Sequence, residues 1–156
     1  MDSPKLWRRT STVVAALLVA TFAIGGAAGA KTDDNATFTL IATSVSFTET
    51  ERGLAFLDHI ETTDGVPIDG WDGGDCINLD PDETALTQWM CHLVVHLPEG
   101  DIVAAGAFDL TSPTIVFAVT GGSGDFVNAR GELEVVPIDD LSSFAHFRLI
   151  GATAKY

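Results

Sequence analysis

The chain has 156 residues, of which 22 are acidic and eight are lysine or arginine, so its formal net charge at pH 7 is −14. A surface of that sign repels phosphate backbones, and this excludes nucleic acid as an expected partner. The length suits one domain with a buried core.

The first thirty residues have the pattern of an export signal. Lys5, Arg8 and Arg9 make a basic start, residues 13–24 are uncharged and mostly apolar, and residues 28–30 (Ala-Gly-Ala) are small, as a cleavage site requires. This order predicts a signal peptide over residues 1–30, with an uncleaved N-terminal membrane anchor as the alternative. We therefore expect an exported (secreted) or membrane-anchored protein whose single domain spans residues 31–156.

The rest of the sequence predicts short β-strands. Runs rich in Thr, Val, Ile and Phe alternate between apolar and polar residues, and turn dipeptides such as Asp64-Gly65 and Ser112-Pro113 separate them. The predicted strands are residues 37–48, 54–60, 66–79, 84–97, 102–110, 114–120, 130–138 and 143–151. Eight strands at this spacing predict an all-β antiparallel fold, and composition does not separate a sandwich from a closed barrel.

The fourth predicted strand is apolar on one face and partly apolar on the other. The first face carries Trp89, Cys91, Leu93, Val95 and Leu97, whereas the second mixes apolar residues with glutamine and histidines. Apolar residues on both faces indicate that part of the exterior is covered, so a homodimer is expected.

The two cysteines, Cys76 and Cys91, lie on the third and fourth predicted strands, which are neighbours if sequential strands pair. An even cysteine count behind an export signal favours a disulfide between them, and two buried free thiols are the alternative.

No metal site or acid/base pair is distinguished. The acidic residues between positions 64 and 83 lack the order of a calcium loop and predict a solvated acidic rim. His92 and His96 are four apart, which on a strand leaves them well separated and without a third ligand. Paired catalytic carboxylates stay open, because candidates are many. The acidic rim comprises Asp64, Asp69, Asp72, Asp75, Asp80, Asp82 and Glu83.

Residues 120–131, Thr-Gly-Gly-Ser-Gly-Asp-Phe-Val-Asn-Ala-Arg-Gly, hold four glycines within eleven positions. They lie between two strand-like runs, with Phe126 as a lone apolar residue. Glycines permit backbone conformations that other residues resist, so the stretch predicts a sharp corner with Phe126 as a plug. A phosphate-binding loop would need a Lys-Ser/Thr pair after the glycines, and none follows.

This corner resembles the signature of the allene oxide cyclase and dirigent-like β-barrel family. Two weaker matches support it: Gly-Val-Pro-Ile-Asp-Gly at residues 65–70, leading to Cys76, and Leu-Pro-Glu-Gly-Asp-Ile at residues 97–102. The resemblance covers about residues 47–151. It implies an eight-stranded antiparallel barrel, lipocalin-like in shape, which is either hollow for one small ligand or filled by side chains.

The family includes plant allene oxide cyclases, plant dirigent proteins and bacterial cyclases of spirotetronate and tetronate pathways. The bacterial cyclases perform Diels–Alder type cycloadditions in an aromatic, apolar pocket without a cofactor. A pericyclic step requires orientation and exclusion of water rather than an acid, a base or a nucleophile. The resemblance to this subgroup, together with the aromatic residues, implies a substrate pocket formed by Phe47, Trp89, Cys91, Phe108, Leu110, Phe117, Phe147 and Leu149.

The resulting hypothesis is a cofactor-independent, metal-independent cyclase of polyketide antibiotic biosynthesis. It would fold a linear polyene, for instance one bearing a tetronate, for an intramolecular cycloaddition. The alternative is a secreted dirigent-like barrel that binds a small apolar ligand, or acts as an interaction protein, without catalysis.

Overall fold

A computed structural model describes residues 35–49, 53–80 and 87–152. They form eight antiparallel strands: β1 (Asn35–Glu49), β2 (Gly53–Thr62), β3 (Pro67–Asn78), β4 (Gln88–Leu97), β5 (Gly100–Asp109), β6 (Ile115–Gly122), β7 (Arg130–Pro137) and β8 (Ser142–Ile150). Each strand pairs with the next along the chain, and β8 pairs with β1. The eight-stranded all-β prediction is confirmed, and closure of the sheet decides for a barrel over a sandwich.

Alternation along β4 shows how the sequence divides the inside of the barrel from the outside. Trp89, Cys91, Leu93, Val95 and Leu97 are all less than 9% exposed, whereas the residues between them are exposed or half-buried. Successive side chains of a strand point to opposite faces, so this face is the interior wall. The interior face that the alternation predicted is confirmed.

The glycine corner closes one end of the barrel. After β6 the chain makes one turn of 3₁₀ helix, Gly124–Phe126, and Phe126 is completely buried. The corner is held against the β4–β5 turn, because the backbone N–H of Asp125 donates to the carbonyl of Glu99 at 3.0 Å. A Cβ on Gly122 would overlap the carbonyl oxygen of Asp101, so this close approach requires glycine. The corner and its aromatic plug are confirmed.

A disulfide joins β3 to β4. Cys76 and Cys91 are direct partners in the register of these strands, and the structure joins their sulfurs. Both residues are buried on the interior face. The predicted disulfide is confirmed, and it crosslinks the wall near the end of the barrel opposite the glycine corner.

The predicted export segment, residues 1–30, lies outside the described residues, so cleavage and localisation stay predictions. Within the three described ranges, no helix is long and apolar enough to cross a membrane.

Candidate functional site

The barrel interior holds a cavity of about 170 Å³ in the half away from the glycine corner. We call the open end of this cavity, where β3 ends and β4 begins, the mouth. All eight strands contribute to the wall, through Ala42, Leu54, Phe56, Asp58, Asp72, Cys76, Cys91, Leu93, Phe108, Ile115, Phe117, Leu133, Val135, Ser143 and Ala145. Leu54, Phe108 and Ile115 are half-buried, as expected for residues near an opening. The barrel is therefore hollow at the mouth and filled at the corner.

Three of the predicted pocket residues, Cys91, Phe108 and Phe117, form part of the cavity wall. The rings of Phe108 and Phe117 meet edge to face, with centroids 5.7 Å apart. An edge-to-face pair is a favourable aromatic arrangement, and it leaves ring surface available to a ligand. This part of the predicted pocket is brought together by β4, β5 and β6.

The other predicted pocket residues lie elsewhere. Trp89, Phe147 and Leu149 are buried in the interior outside this wall, and Phe147 stacks on Phe38 with ring centroids 4.7 Å apart. Phe47 and Leu110 are 55% and 54% exposed. Phe47 follows a register shift in β1, and Leu110 comes directly after the last residue of β5. Phe47 is the register partner of the cavity residue Phe56 and so shares the interior face, but it lies beyond the cavity near the end of β1, as Leu110 does beyond the end of β5.

Two carboxyl groups face each other inside the cavity. Asp58 on β2 and Asp72 on β3 are direct register partners, and Asp58 hydrogen-bonds to Asp72 and to the Ser44 side chain. Asp72 is 9% exposed, and its Oδ1 has no hydrogen-bond partner within the described structure. Asp72 was predicted to belong to a solvated acidic rim. That prediction is wrong for Asp72, because it shares a strand face with Cys76 and points into the barrel.

Burial sets the protonation of this carboxyl pair. Desolvation, followed by the charge of Asp58 and the hydrogen bond with it, raises the pKa of Asp72 to about 8. Burial also raises the pKa of Asp58, against the lowering effect of its hydrogen bonds. Two carboxyl groups in contact away from water cannot both ionise readily. Near neutral pH the pair therefore holds one proton, which the neutral carboxyl group of Asp72 donates to the carboxylate of Asp58.

Sequence reasoning missed this pair, although strand alternation contains the signal for it. Asp72 is four residues from Cys76, and Asp58 is two residues from Ile60, which puts each on the face of a buried residue. Their apposition depends on the β2–β3 register, which alternation within one strand does not define. The sequence therefore indicates two inward aspartates but not that they meet.

The polar wall residues considered from sequence lie on the outer surface. Gln88 is exposed and donates to Asp109 at 2.7 Å, and Arg148 is paired with Glu132 and Glu134 at 3.1 and 3.0 Å. Two further aromatic residues are also outside the cavity. Trp71 is 43% exposed and stacks on His96, and half-buried Phe144 stacks on His146.

The residues that the structure describes contain no group of three or more His, Cys, Asp or Glu side chains placed to hold a metal ion. His59, His92 and His96 are exposed on the outer wall. His96 is hydrogen-bonded to Asp101 at 2.6 Å, and this bond, followed by that from Ser123, lowers the pKa of the Asp101 carboxyl.

The geometry defines a class of protein: a closed eight-stranded antiparallel barrel with a small-molecule cavity containing a carboxyl pair. Solved structures place this fold more narrowly. A pyocyanin demethylase is 26% identical, with a TM-score of 0.62, over 73% of this chain and 99% of its own. The exo-specific intermolecular Diels–Alderase AbnU is 13% identical, with a TM-score of 0.60, over 74% of this chain and 98% of its own.

A pterocarpan synthase dirigent protein is similar over 91% of this chain and 97% of its own, at 13% identity and a TM-score of 0.57. No protein-family profile and no curated protein sequence matches the chain. The chain has the fold of the allene oxide cyclase and dirigent-like barrels, so the resemblance seen in the glycine corner is confirmed at the level of the fold.

Proposed function

We propose that the protein is an enzyme that encloses part of a small, largely apolar molecule in the barrel and cyclises it. The observation that carries this proposal is the cavity, whose wall is apolar except for the carboxyl pair and Ser143. Solved barrels of the same fold include Diels–Alderases, which supports a cyclisation. In its finer form, the proposed reaction is an intramolecular Diels–Alder type cycloaddition of a linear polyene from a polyketide pathway.

The cavity volume limits how much of the substrate is enclosed. About 170 Å³ is close to the roughly 150 Å³ of an engineered cavity that binds benzene, and below the roughly 300–1,000 Å³ typical of drug-sized ligands. The cavity therefore accommodates about one ring. A longer polyene would place its reacting diene and dienophile inside and extend the rest of its chain past Leu54 and Ile115 at the mouth.

The Asp72 carboxyl group adds a chemical role to this enclosure when a substrate carbonyl replaces Asp58 as the acceptor of its proton. A neutral carboxylic acid in an apolar site can donate a hydrogen bond to a carbonyl oxygen, and that donation increases as negative charge develops on the oxygen. A carbonyl conjugated to the dienophile would become more electron-poor and react faster. Replacing Asp72 with leucine removes the donor and keeps the number and branching of the side-chain heavy atoms, and we expect a rate loss of about 100-fold, as for one lost oxyanion donor.

The test uses a linear triene with a conjugated ketone and follows cyclised product by chromatography and mass spectrometry. Ala145→Leu fills the cavity from β8, whereas Ala118→Leu adds the same atoms to the exposed face of β6. We expect product formation above the protein-free rate with the wild type and Ala118→Leu, and its loss with Ala145→Leu. Equal rates with and without the wild-type protein, across a panel of such trienes, would refute the cyclase.

The pyocyanin demethylase match supports a second candidate, removal of a methyl group from a planar ring compound. Its 26% identity extends over 99% of the demethylase chain. Pyocyanin has three fused rings, so a cavity of about 170 Å³ would enclose one of them and leave the others at the mouth. Incubation with pyocyanin, followed by mass spectrometry for loss of the methyl group, tests it. Saturable binding of polyene or pyocyanin without turnover would instead favour the dirigent-like role of an exported barrel that binds ligands without catalysis.

A further inference from the structure

We propose that the cavity is a binding site for a small organic cation about the size of one aromatic ring, held between the Asp58–Asp72 pair and the phenylalanine rings of the wall. This activity goes beyond the cyclisation proposed above and does not require it. The site is built from the buried Asp72 carboxyl group, one oxygen of which has no partner among the described residues, in the wall of a cavity that also contains aromatic rings.

The pair carries a negative charge that lies on half-buried Asp58 while buried Asp72 holds the proton. With one proton shared, Asp58 and Asp72 together carry one negative charge at neutral pH inside an apolar wall. From β1 the Ser44 hydroxyl reaches the pair, and on β4 the residue opposite Asp72 is Val95. Among the described residues of the cavity wall, the two aspartates are the only titrating groups, because the two cysteines are disulfide-bonded.

Basic groups of the neighbouring strands face away from the pair. His59 on β2 and both histidines of β4 are exposed on the outer wall. The ion pairs among the described residues are formed by His96 and Arg148 with exposed or half-buried acids of the outer surface. A buried charge without a counter-charge is unfavourable, so a ligand that supplies a positive charge gains more here than a neutral ligand of the same shape.

The aromatic wall of the cavity also favours a cation. Phe56, Phe108 and Phe117 line the same cavity as the two carboxyl groups, and Phe117 is 4% exposed. The face of an aromatic ring attracts a cation within about 6 Å of its centroid, most strongly where water is excluded. Asp72, which lines the same cavity, also holds an acceptor oxygen, Oδ1, without a hydrogen-bond partner among the described residues.

Binding of the cation at this site is also expected to be coupled to the release of protons. A cation near Asp72 favours its ionised form and lowers its pKa by about one unit or more, so binding releases protons. By linkage, affinity for the cation then rises by about tenfold as the pH passes through the titration of Asp72, whereas affinity for a neutral ligand does not rise.

The experiment compares N-methylpyridinium with toluene, which has the same shape and no charge. Binding to the full chain is measured by calorimetry from pH 6.5 to 8.5, for the wild type, Asp72→Asn and Asp58→Asn/Asp72→Asn. We expect the wild type to prefer the cation, and the preference to increase about tenfold over this range. Asp72→Asn should keep a preference that no longer changes with pH, and the double variant should lose the preference while still binding toluene.

Toluene binding by the double variant shows that the cavity is intact. If that variant fails to fold, Asp72→Asn alone decides, since retention of the pH dependence in it would overturn the proposal. Equal affinity for both probes at every pH, or no binding of the cation by the wild type, would also overturn it. Cation binding by a protein that cyclises no triene would support this site and refute only the cyclase.

Discussion

Asp72→Asn is expected to change how the free energy of unfolding depends on pH. In the folded protein the pKa of Asp72 is about 8, whereas an aspartate in an unfolded chain has a pKa of about 3.9. Between these values the folded state holds a proton that the unfolded state has lost, so wild-type stability falls as pH rises. Below the unfolded pKa both states are protonated, and the stability is fully present.

One such proton changes the free energy of unfolding by up to about 1.4 kcal/mol per pH unit, or about 4 kcal/mol between pH 5 and pH 8. A domain of this size is stable by only about 5–15 kcal/mol, so the effect is large enough to measure. Asparagine has nearly the same shape and does not titrate. The variant should therefore lack this slope and be more stable than the wild type at pH 8, with little difference at pH 5.

The assay is urea denaturation at pH 5, 6, 7 and 8, followed by tryptophan fluorescence. Asp75→Asn is the matched control, because Asp75 lies on the same strand but is exposed. Hydrogen bonds lower the pKa values of the Asp109 and Asp139 carboxyl groups, so the stability that these two residues contribute is lost only as the pH falls. All the variants share that contribution, and it does not affect the comparison between them. Parallel pH profiles for the wild type and Asp72→Asn would refute the reasoning that Asp72 is buried as a proton-holding group.

Three further predictions concern the wall and its outer surface. Replacing Cys76 and Cys91 with serine opens a loop with a sequence separation of 15 and should lower the free energy of unfolding by about 3 kcal/mol. Reductant should lower the thermal stability of the wild type but not that of this double variant. A wild type whose thermal unfolding is insensitive to reductant would contradict the prediction. Gly122→Ala should lower the free energy of unfolding by about 3 kcal/mol, because its new Cβ would overlap the backbone. Gly65→Ala, where φ is +78° and the surrounding space is open, should lower the free energy of unfolding by about 1 kcal/mol. Equal losses for the two variants in urea denaturation would argue against the tight corner. We also propose that a second copy of the chain covers the outer apolar residues of β2, β4 and β5. Val94→Lys should then convert a dimer to a monomer in sedimentation experiments. A monomeric wild type would refute this proposal.

Much of the barrel could be predicted from the sequence because the relevant signals are local. Strand alternation identified the interior face of β4, and the glycine spacing identified the corner plugged by Phe126. The cysteine pairing also followed, since sequential strands are neighbours in an antiparallel sheet and Cys76 lies opposite Cys91.

The cavity could be predicted only in part. Cys91, Phe108 and Phe117 line it, whereas Phe47 lies near the end of β1 and Leu110 beyond the end of β5, both outside the cavity wall. A register shift of one residue moves side chains to the other face of a sheet, and the shift in β1 between Ser44 and Ser46 places Phe47 instead of Ser46 opposite Phe56. Irregularities of this kind depend on contacts between strands, which composition and spacing do not encode.

The sequence by itself determined an acidic, all-β domain with eight antiparallel strands, an aromatic-plugged glycine corner and a pair of cysteines on adjacent strands. Closure of the sheet was implied only by the family resemblance, and tertiary structure alone decided that the interior stays hollow at the mouth and that Asp58 meets Asp72 there. The physical reason is that alternation assigns a side chain to a face within its own strand, whereas the apposition of two carboxyl groups and their shared proton depend on register and burial across strands.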